Sequence, residues 1–168
     1  KHSYAQYYLG EIYYENKYVQ RDINKAIHYF TLAANQNHQP AQIYLGEIYY
    51  EAKYVQRDIN KAIHYFSLAA DQNHSKAQNY LGEIYYENKY VQRDINKVIH
   101  YFTLAANQNY PPAQFYLGQI YSEAKYVQRD INKAIYYYSI LANQNYSVVQ
   151  YILGEIYYKG EYIPQDIN

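Results

Sequence analysis

The chain has 168 residues, enough for one domain or one cooperative array. Lys plus Arg and Asp plus Glu both number 15, so no basic excess points to nucleic acid. Cys is absent, which excludes a disulfide framework and a thiolate metal site, and no apolar run approaches the ~20 residues of a membrane span. No targeting pattern is present, and a cytoplasmic setting is expected.

Leu-Gly recurs at Leu9-Gly10, Leu45-Gly46, Leu81-Gly82, Leu117-Gly118 and Leu153-Gly154, with a spacing of 36 residues. Self-similarity at that period means stacked units, each burying its apolar face against its neighbours. The boundaries expected are 1–2 for the end of a preceding repeat, then 3–38, 39–74, 75–110 and 111–146, with 147–168 incomplete. Lys1-His2 matches the close of a unit, and Gln165-Asp166-Ile167-Asn168 stops where earlier copies enter their second helix. The chain therefore reads as one continuous segment of a longer array.

In chain order, Ser3 is placed to cap a first helix, and Pro40 and Pro112 fall at first-turn positions where a missing N–H costs nothing. Ala5, Tyr8, Leu9, Ile12 and Tyr13 then follow with the spacing of one helical stripe. Gly10 interrupts that stripe at a cost of ~1 kcal/mol relative to Ala, so helices must approach closely there. The expected partners are Ala26, Ala33 and Ala34. Asn16 to Arg21 forms the loop, and Asp22 caps the second helix and favours its positive end. Ile23, Ala26, Ile27, Phe30, Ala33 and Ala34 make its apolar stripe. Asn24, His28, Thr31 and Asn35 face solvent. Asn37 stands just past this helix, where a left-handed residue is usual. Tyr numbers 29 while Trp is absent, which reads either as AT-rich coding or, where Tyr is exposed, as selection for aromatic contacts.

The pattern Ala5-Gln6-x-Tyr8-Leu9-Gly10-x-Ile12-Tyr13, Asp22-x-x-Lys25-Ala26-Ile27-x-Tyr29-Phe30 and Ala33-Ala34-x-Gln36 resembles the Sel-1-like repeat, a relative of the tetratricopeptide repeat. The resemblance covers essentially the whole chain. It implies an all-α, right-handed solenoid of antiparallel helix pairs that serves as a non-enzymatic protein-interaction scaffold or adaptor, with no cofactor. The family's loop glycine survives only at Gly160; Asn16, Ala52, Asn88 and Ala124 replace it, and Ala in a left-handed conformation costs ~1–2 kcal/mol.

By analogy with tetratricopeptide arrays, first helices line the inner, peptide-binding face. The face left over by the core stripe carries Tyr4, Tyr7, Glu11, Tyr14 and Glu15. Tyr7 becomes Ile43, Asn79, Phe115 and Tyr151 in later copies, and Tyr4 becomes Pro40, Lys76, Pro112 and Val148. Glu11 is repeated as Glu47, Glu83 and Glu155, with Gln119 departing, and Tyr14 as Tyr50, Tyr86 and Tyr158, with Ser122 departing. The ladder admits two readings. One is a groove for a basic peptide with apolar anchors; the other is a solvated face whose repetition comes from duplication. Apolar faces at Ile156 and Ile163 also suit a structural spacer or head-to-tail self-association.

Several motifs carry less. His28, His64 and His100 lie on stacked helices 8–10 Å apart, too far to converge on a metal. Ser122-Glu123-Ala124-Lys125 has the Ser-x-x-Lys spacing of a hydrolase or β-lactam-binding relative, but no Ser-Asp-Asn or Lys-Thr-Gly accompanies it. The sequons Asn73-His74-Ser75 and Asn145-Tyr146-Ser147 are expected by accident in an Asn-rich chain.

Overall fold

The computed structural model describes residues 2–123 and 125–160. Ala124, Ile163 and the run from Gln165 to Asn168 lie outside the described residues. Among the described residues there are nine helices and no strand: α1 (Ser3–Glu15), α2 (Ile23–Ala34), α3 (Gln39–Glu51), α4 (Ile59–Asp71), α5 (Ser75–Glu87), α6 (Ile95–Ala106), α7 (Pro111–Glu123), α8 (Ile131–Asn143) and α9 (Ser147–Tyr158). They form two compact units, residues 1–81 and 82–168, whose border falls within α5. In the first, α1 packs on α2, α2 on α3 and α3 on α4; in the second, α6 packs on α7, α7 on α8 and α8 on α9. The pairs α1/α2 and α3/α4 are antiparallel, since Gln36 reaches Gln6 while Tyr29 stacks on Tyr13, and Gln72 reaches Gln42 while Tyr65 stacks on Tyr49. The chain is an all-α repeat fold.

Second helices begin as the sequence dictates. The Asp22, Asp58, Asp94 and Asp130 carboxylates accept the N–H of Lys25, Lys61, Lys97 and Lys133. Each satisfies a donor that the first helical turn leaves open. First helices begin differently from the expectation. Ser3 is the first helical residue, and the cap is His2, with no side-chain cap bond; His38 and Tyr146 hold the same place before α3 and α9.

The reason lies in how the preceding helix ends. Asn37 is left-handed (φ 59°), as are Asn73, Asn109 and Asn145. Around it Asn37 N–H donates to Ala34 O at 2.9 Å and His38 N–H to Ala33 O at 3.2 Å, the paired closure of a Schellman motif. His38 O then accepts from Gln42 N–H at 3.2 Å. One residue thus ends a helix and starts the next, which leaves Ser3 and its equivalents inside.

Gly10 does meet a close neighbour, but not the alanines. A Cβ built on Gly10 would lie 2.5 Å from the Phe30 ring, and Gly46 and Gly82 face Phe66 and Phe102 in the same way. A bare backbone is what lets the largest apolar side chain of the second helix lie flat against the first. Phe30, Phe66 and Phe102 are fully buried as a result. The alanines do a different job: Ala33 and Ala34 pack with Ala41, Leu45 and Ile48 of the next repeat, so the small residues serve the inter-repeat contact.

Substituting Gly46→Ala is expected to lower stability by roughly 1–3 kcal/mol through overpacking on Phe66. Gly154 has nothing within 4 Å of its Cβ position. Gly154→Ala should therefore stabilise by up to about 1 kcal/mol from helix propensity. Urea unfolding of the two variants checks the contrast, and equal effects would refute the ring-on-glycine packing.

The loops after α1, α3 and α5 open on a left-handed residue, Asn16, Ala52 and Asn88 having φ of 61°, 57° and 55°, and Gly160, two residues past α9, has 66°. Asn16 and Asn88 also accept the N–H of Arg21 and Arg93 at 2.8 Å. Ala52 bears the strain with a methyl that can accept nothing. Ala52→Asn should raise the unfolding free energy by about 1 kcal/mol; a thermal midpoint that does not rise would count against this account.

Candidate functional site

Glu11, Glu47 and Glu83 hold the first helices of successive repeats together. Tyr44, from α3, stacks its ring on Phe30 (centroids 4.8 Å apart, planes 12° apart) and its hydroxyl donates to Glu11 at 3.3 Å. Tyr80 repeats this on Phe66 and Glu47, the latter at 3.2 Å, and Tyr116 on Phe102 and Glu83. Burial, followed by the neighbouring glutamate charge, pushes the Tyr44 and Tyr116 hydroxyls up to about 12. Glu11 also accepts from Tyr7. Tyr8 occupies the Tyr44 place in the first repeat and is 58% exposed.

The Tyr7 place was expected on an open face, and in the middle repeats it is closed. Ile43 is 7% exposed and Asn79 4%. Tyr7 itself is half-buried between His38 (4.8 Å) and Tyr44 (5.9 Å). The stacking of each repeat on the next brings this side of the first helix into the packing. Tyr14, Tyr50 and Tyr86 lie edge-on to Tyr44, Tyr80 and Tyr116, so they too are half-buried.

Two columns have structural roles beyond what the sequence reading assigned. Buried Gln42, Gln78 and Gln114 donate from Nε2 to the carbonyls of Ala34, Ala70 and Ala106, each at 3.3 Å. Arg21, Arg57, Arg93 and Arg129 donate from Nε to carbonyls at the end of the first helix, those of Tyr14, Tyr50, Tyr86 and Ser122. The signal was a fixed offset: an amide eight residues past the carbonyl it reaches, and a guanidinium seven past.

The departures in the fourth and fifth repeats occur in matched sets. Ile152 stands where Tyr44 stands and offers no hydroxyl; Gln119 stands where Glu11 stands and donates to Glu123 at 2.8 Å instead. Tyr138 replaces the core Phe and is 2% exposed, so its hydroxyl needs a partner. Ser122 supplies it, and donates to Gln119 O at 3.0 Å. Ser122 is thus a packing replacement tied to Tyr138, while Lys125 lies over the Tyr126 ring at 5.1 Å.

One open groove of about 790 Å³ lies on this side of the second unit. Glu83, Phe115 and Gln119 line it together with Pro112, Tyr146 and Val148. Of the candidate residues, these are the ones brought into a single concavity. Val148 is 66% exposed and Phe115 is half-exposed. His28, His64 and His100 are exposed, each beside its neighbouring tyrosine ring. Among the described residues no group of His, Cys, Asp and Glu could hold a metal ion, and no helix is long and apolar enough to cross a membrane.

The histidines at the connections are titratable groups held inside the packing. His38 is 8% exposed beside the Tyr4 and Tyr7 rings, and burial holds its pKa below the usual imidazole range although the Glu11 charge opposes. His74 is lowered first by burial and then by the Lys76 charge, with Glu47 opposing. A depressed folded pKa means the unfolded chain takes up the proton first. The stability from these residues is full above the unfolded value of about 6.5 and is lost as pH falls towards the folded value. Tyr110 and Tyr146 fill the same position, so His38→Tyr with His74→Tyr should flatten the thermal midpoint between about pH 7 and pH 5. An undiminished slope would place the titrating groups elsewhere. The Asp22, Asp58 and Asp130 caps act at lower pH, since their carboxyls are held low chiefly by the backbone N–H each accepts.

The fold and this face define a helix-pair repeat protein whose first helices carry its most variable side chains. The Sel1 repeat pattern matches residues 3–38, 39–74, 75–110, 111–146 and 147–168, and the chain belongs to the Sel1 repeat family. Members are typically protein-interaction scaffolds and generally non-enzymatic. A protective antigen of uropathogenic Escherichia coli displaying an SLR fold is similar, with 32% identity and a TM-score of 0.87 over 94% of this chain and 34% of that one. A Sel1 repeat protein from Oxalobacter formigenes is also 32% identical, with a TM-score of 0.80 over 94% of this chain and 64% of that one. This chain thus spans less than two-thirds of either relative. Cysteine-rich protein B of Helicobacter pylori shares the fold at 23% identity and a TM-score of 0.60, covering 82% of this chain and 98% of that one. No curated protein matches the chain.

Proposed function

We propose that this chain is a non-enzymatic interaction scaffold whose first-helix face takes a peptide or protein partner with basic residues and apolar anchors. The observation that carries this reading is the groove uniting Glu83, Phe115 and Gln119. Apolar floors beside a few polar groups are the usual composition of a recognition site. Tyr7, Glu11, Tyr14, Ile43, Glu47, Tyr50, Asn79 and Tyr86 are the further candidate contacts of the first-helix face, and none of them lines this groove. A second reading, head-to-tail self-association, would repeat between copies the contact seen within a unit, where Ala33 and Ala34 pack with Ala41, Leu45 and Ile48 of the next repeat.

Selection of a random dodecapeptide display library on the immobilised chain tests the first reading. Lys or Arg beside Leu, Phe or Tyr should be enriched, and affinity should fall several-fold between low and high salt because exposed charge pairs are screened. Selected peptides whose binding ignores salt would eliminate the acidic version. Sedimentation over a range of chain concentrations addresses the second reading, and a constant monomer mass would end it.

A further inference from the structure

Two junctions between successive first helices, one in each compact unit, differ in one respect that bears on specificity. Between α3 and α5, Lys76 reaches back to form an ion pair with Glu47. Glu47 lies one helical turn from Ile43, which is buried at 7% exposure. At the junction of α7 and α9, Val148 stands where Lys76 stands and Gln119 where Glu47 stands. Both members of the ion pair are replaced together by uncharged residues. Gln119 turns along its own helix to Glu123, and Val148 is too short to cross. The groove is found here, over Phe115, the residue equivalent to Ile43.

None of the groove's lining residues is Lys or Arg, and its one ionised member is Glu83. Phe115, Pro112 and Val148 give an apolar surface on which a bulky side chain loses water at no polar cost. Asn145 also lines the groove and carries an amide that can serve a peptide backbone. A segment binding here is therefore selected twice: for an aliphatic or aromatic side chain over Phe115, and for a cation towards Glu83, whose carboxylate also takes the Tyr116 hydroxyl.

We infer that the α7/α9 junction is the anchor subsite of the interaction face, which admits a Leu- or Phe-like side chain of an extended peptide next to an Arg or Lys, and that the Lys76–Glu47 pair keeps the α3/α5 junction shut to the same anchor. This rests on the first-helix reading above. The chain's own sequence provides the variants for a test. Val148→Lys with Gln119→Glu transplants the closed arrangement, and Phe115→Asn transplants the residue that Asn79 places at that position.

The probes are fluorescein-labelled acetyl-hexapeptides with a fixed Arg and a neighbouring anchor position set to Leu, Phe, Ala or Lys. Binding is followed by polarisation and by amide shifts of the isotope-labelled chain. Leu and Phe peptides should bind about tenfold or more tightly than Ala or Lys peptides, a step corresponding to about 1.4 kcal/mol. They should move the amides of Phe115, Gln119 and Val148. Val148→Lys/Gln119→Glu and Phe115→Asn should each remove the preference while leaving the thermal midpoint near that of the parent. A preference that survives in both folded variants, with shifts on other first helices, would overturn the subsite and leave the broader reading standing. Absence of binding by every peptide, in parent and variants alike, would overturn both.

Discussion

A bare stretch of backbone facing a flat ring is the constraint from which the other contacts in this fold follow. Gly46 removes the atom that would strike Phe66, so the ring can lie on the first helix with its second face turned towards the next repeat. Tyr80 covers that second face at 4.5 Å, and the same stack places its hydroxyl beside Glu47. The glutamate ladder is thus a consequence of a ring stack begun at a glycine. Magnitudes point the same way. An aromatic pair adds about 0.5–1.5 kcal/mol beyond the area it buries, whereas exposed ion pairs in general add about 0–1 kcal/mol. Ring stacking and apolar burial join the repeats, and charge tunes the surface.

The same stack explains the irregular fourth and fifth repeats. The hydroxyl that Tyr138 adds to the core is met by the hydroxyl of Ser122; the hydroxyl that Ile152 lacks is matched by the carboxylate that Gln119 lacks. Buried polar groups are costly when only one partner is present, so such changes are tolerated in pairs. One outcome of this pairing is chemical: Ser122, the residue whose spacing to Lys125 suggested a nucleophile, is occupied in satisfying a buried phenol. Another is topographic, because Gln119, together with Val148, stands where Glu47 and Lys76 form their ion pair beside Ile43.

Much of this was legible in the residues. The period, the helix pair, the apolar stripes, the Asp22 cap and the left-handed Asn37 all follow from local rules that a single repeat states completely. The face was harder to read. Counting turns on an isolated helix leaves Tyr7 and Glu11 outside the core stripe, and only the neighbouring repeat shows that Tyr44 comes back to meet them. Glycine's partner was misassigned for a similar reason. Small residues pair well with small residues, but a flat ring needs a flat seat, and a rule based on volume ignores shape. Gln39, the equivalent of Ser3, could not be ranked against His38 as the starting residue without knowing that the preceding helix closes on Asn37, one residue before His38.

The connection at His38 has a bearing on how such a chain can grow. A residue that ends one helix while beginning the next leaves no slack between copies, so a single inserted or lost residue there would rotate every following side chain off its column. Length can change harmlessly only inside the loop or by whole copies, and recombination in steps of 36 residues is the one edit that keeps ring on glycine and tyrosine on ring. Closely similar neighbours such as the first and second repeats are the expected trace of that arithmetic. So is the way single-residue novelty gathers at Ser122, Gln119 and Val148, where each change could be matched by another side chain.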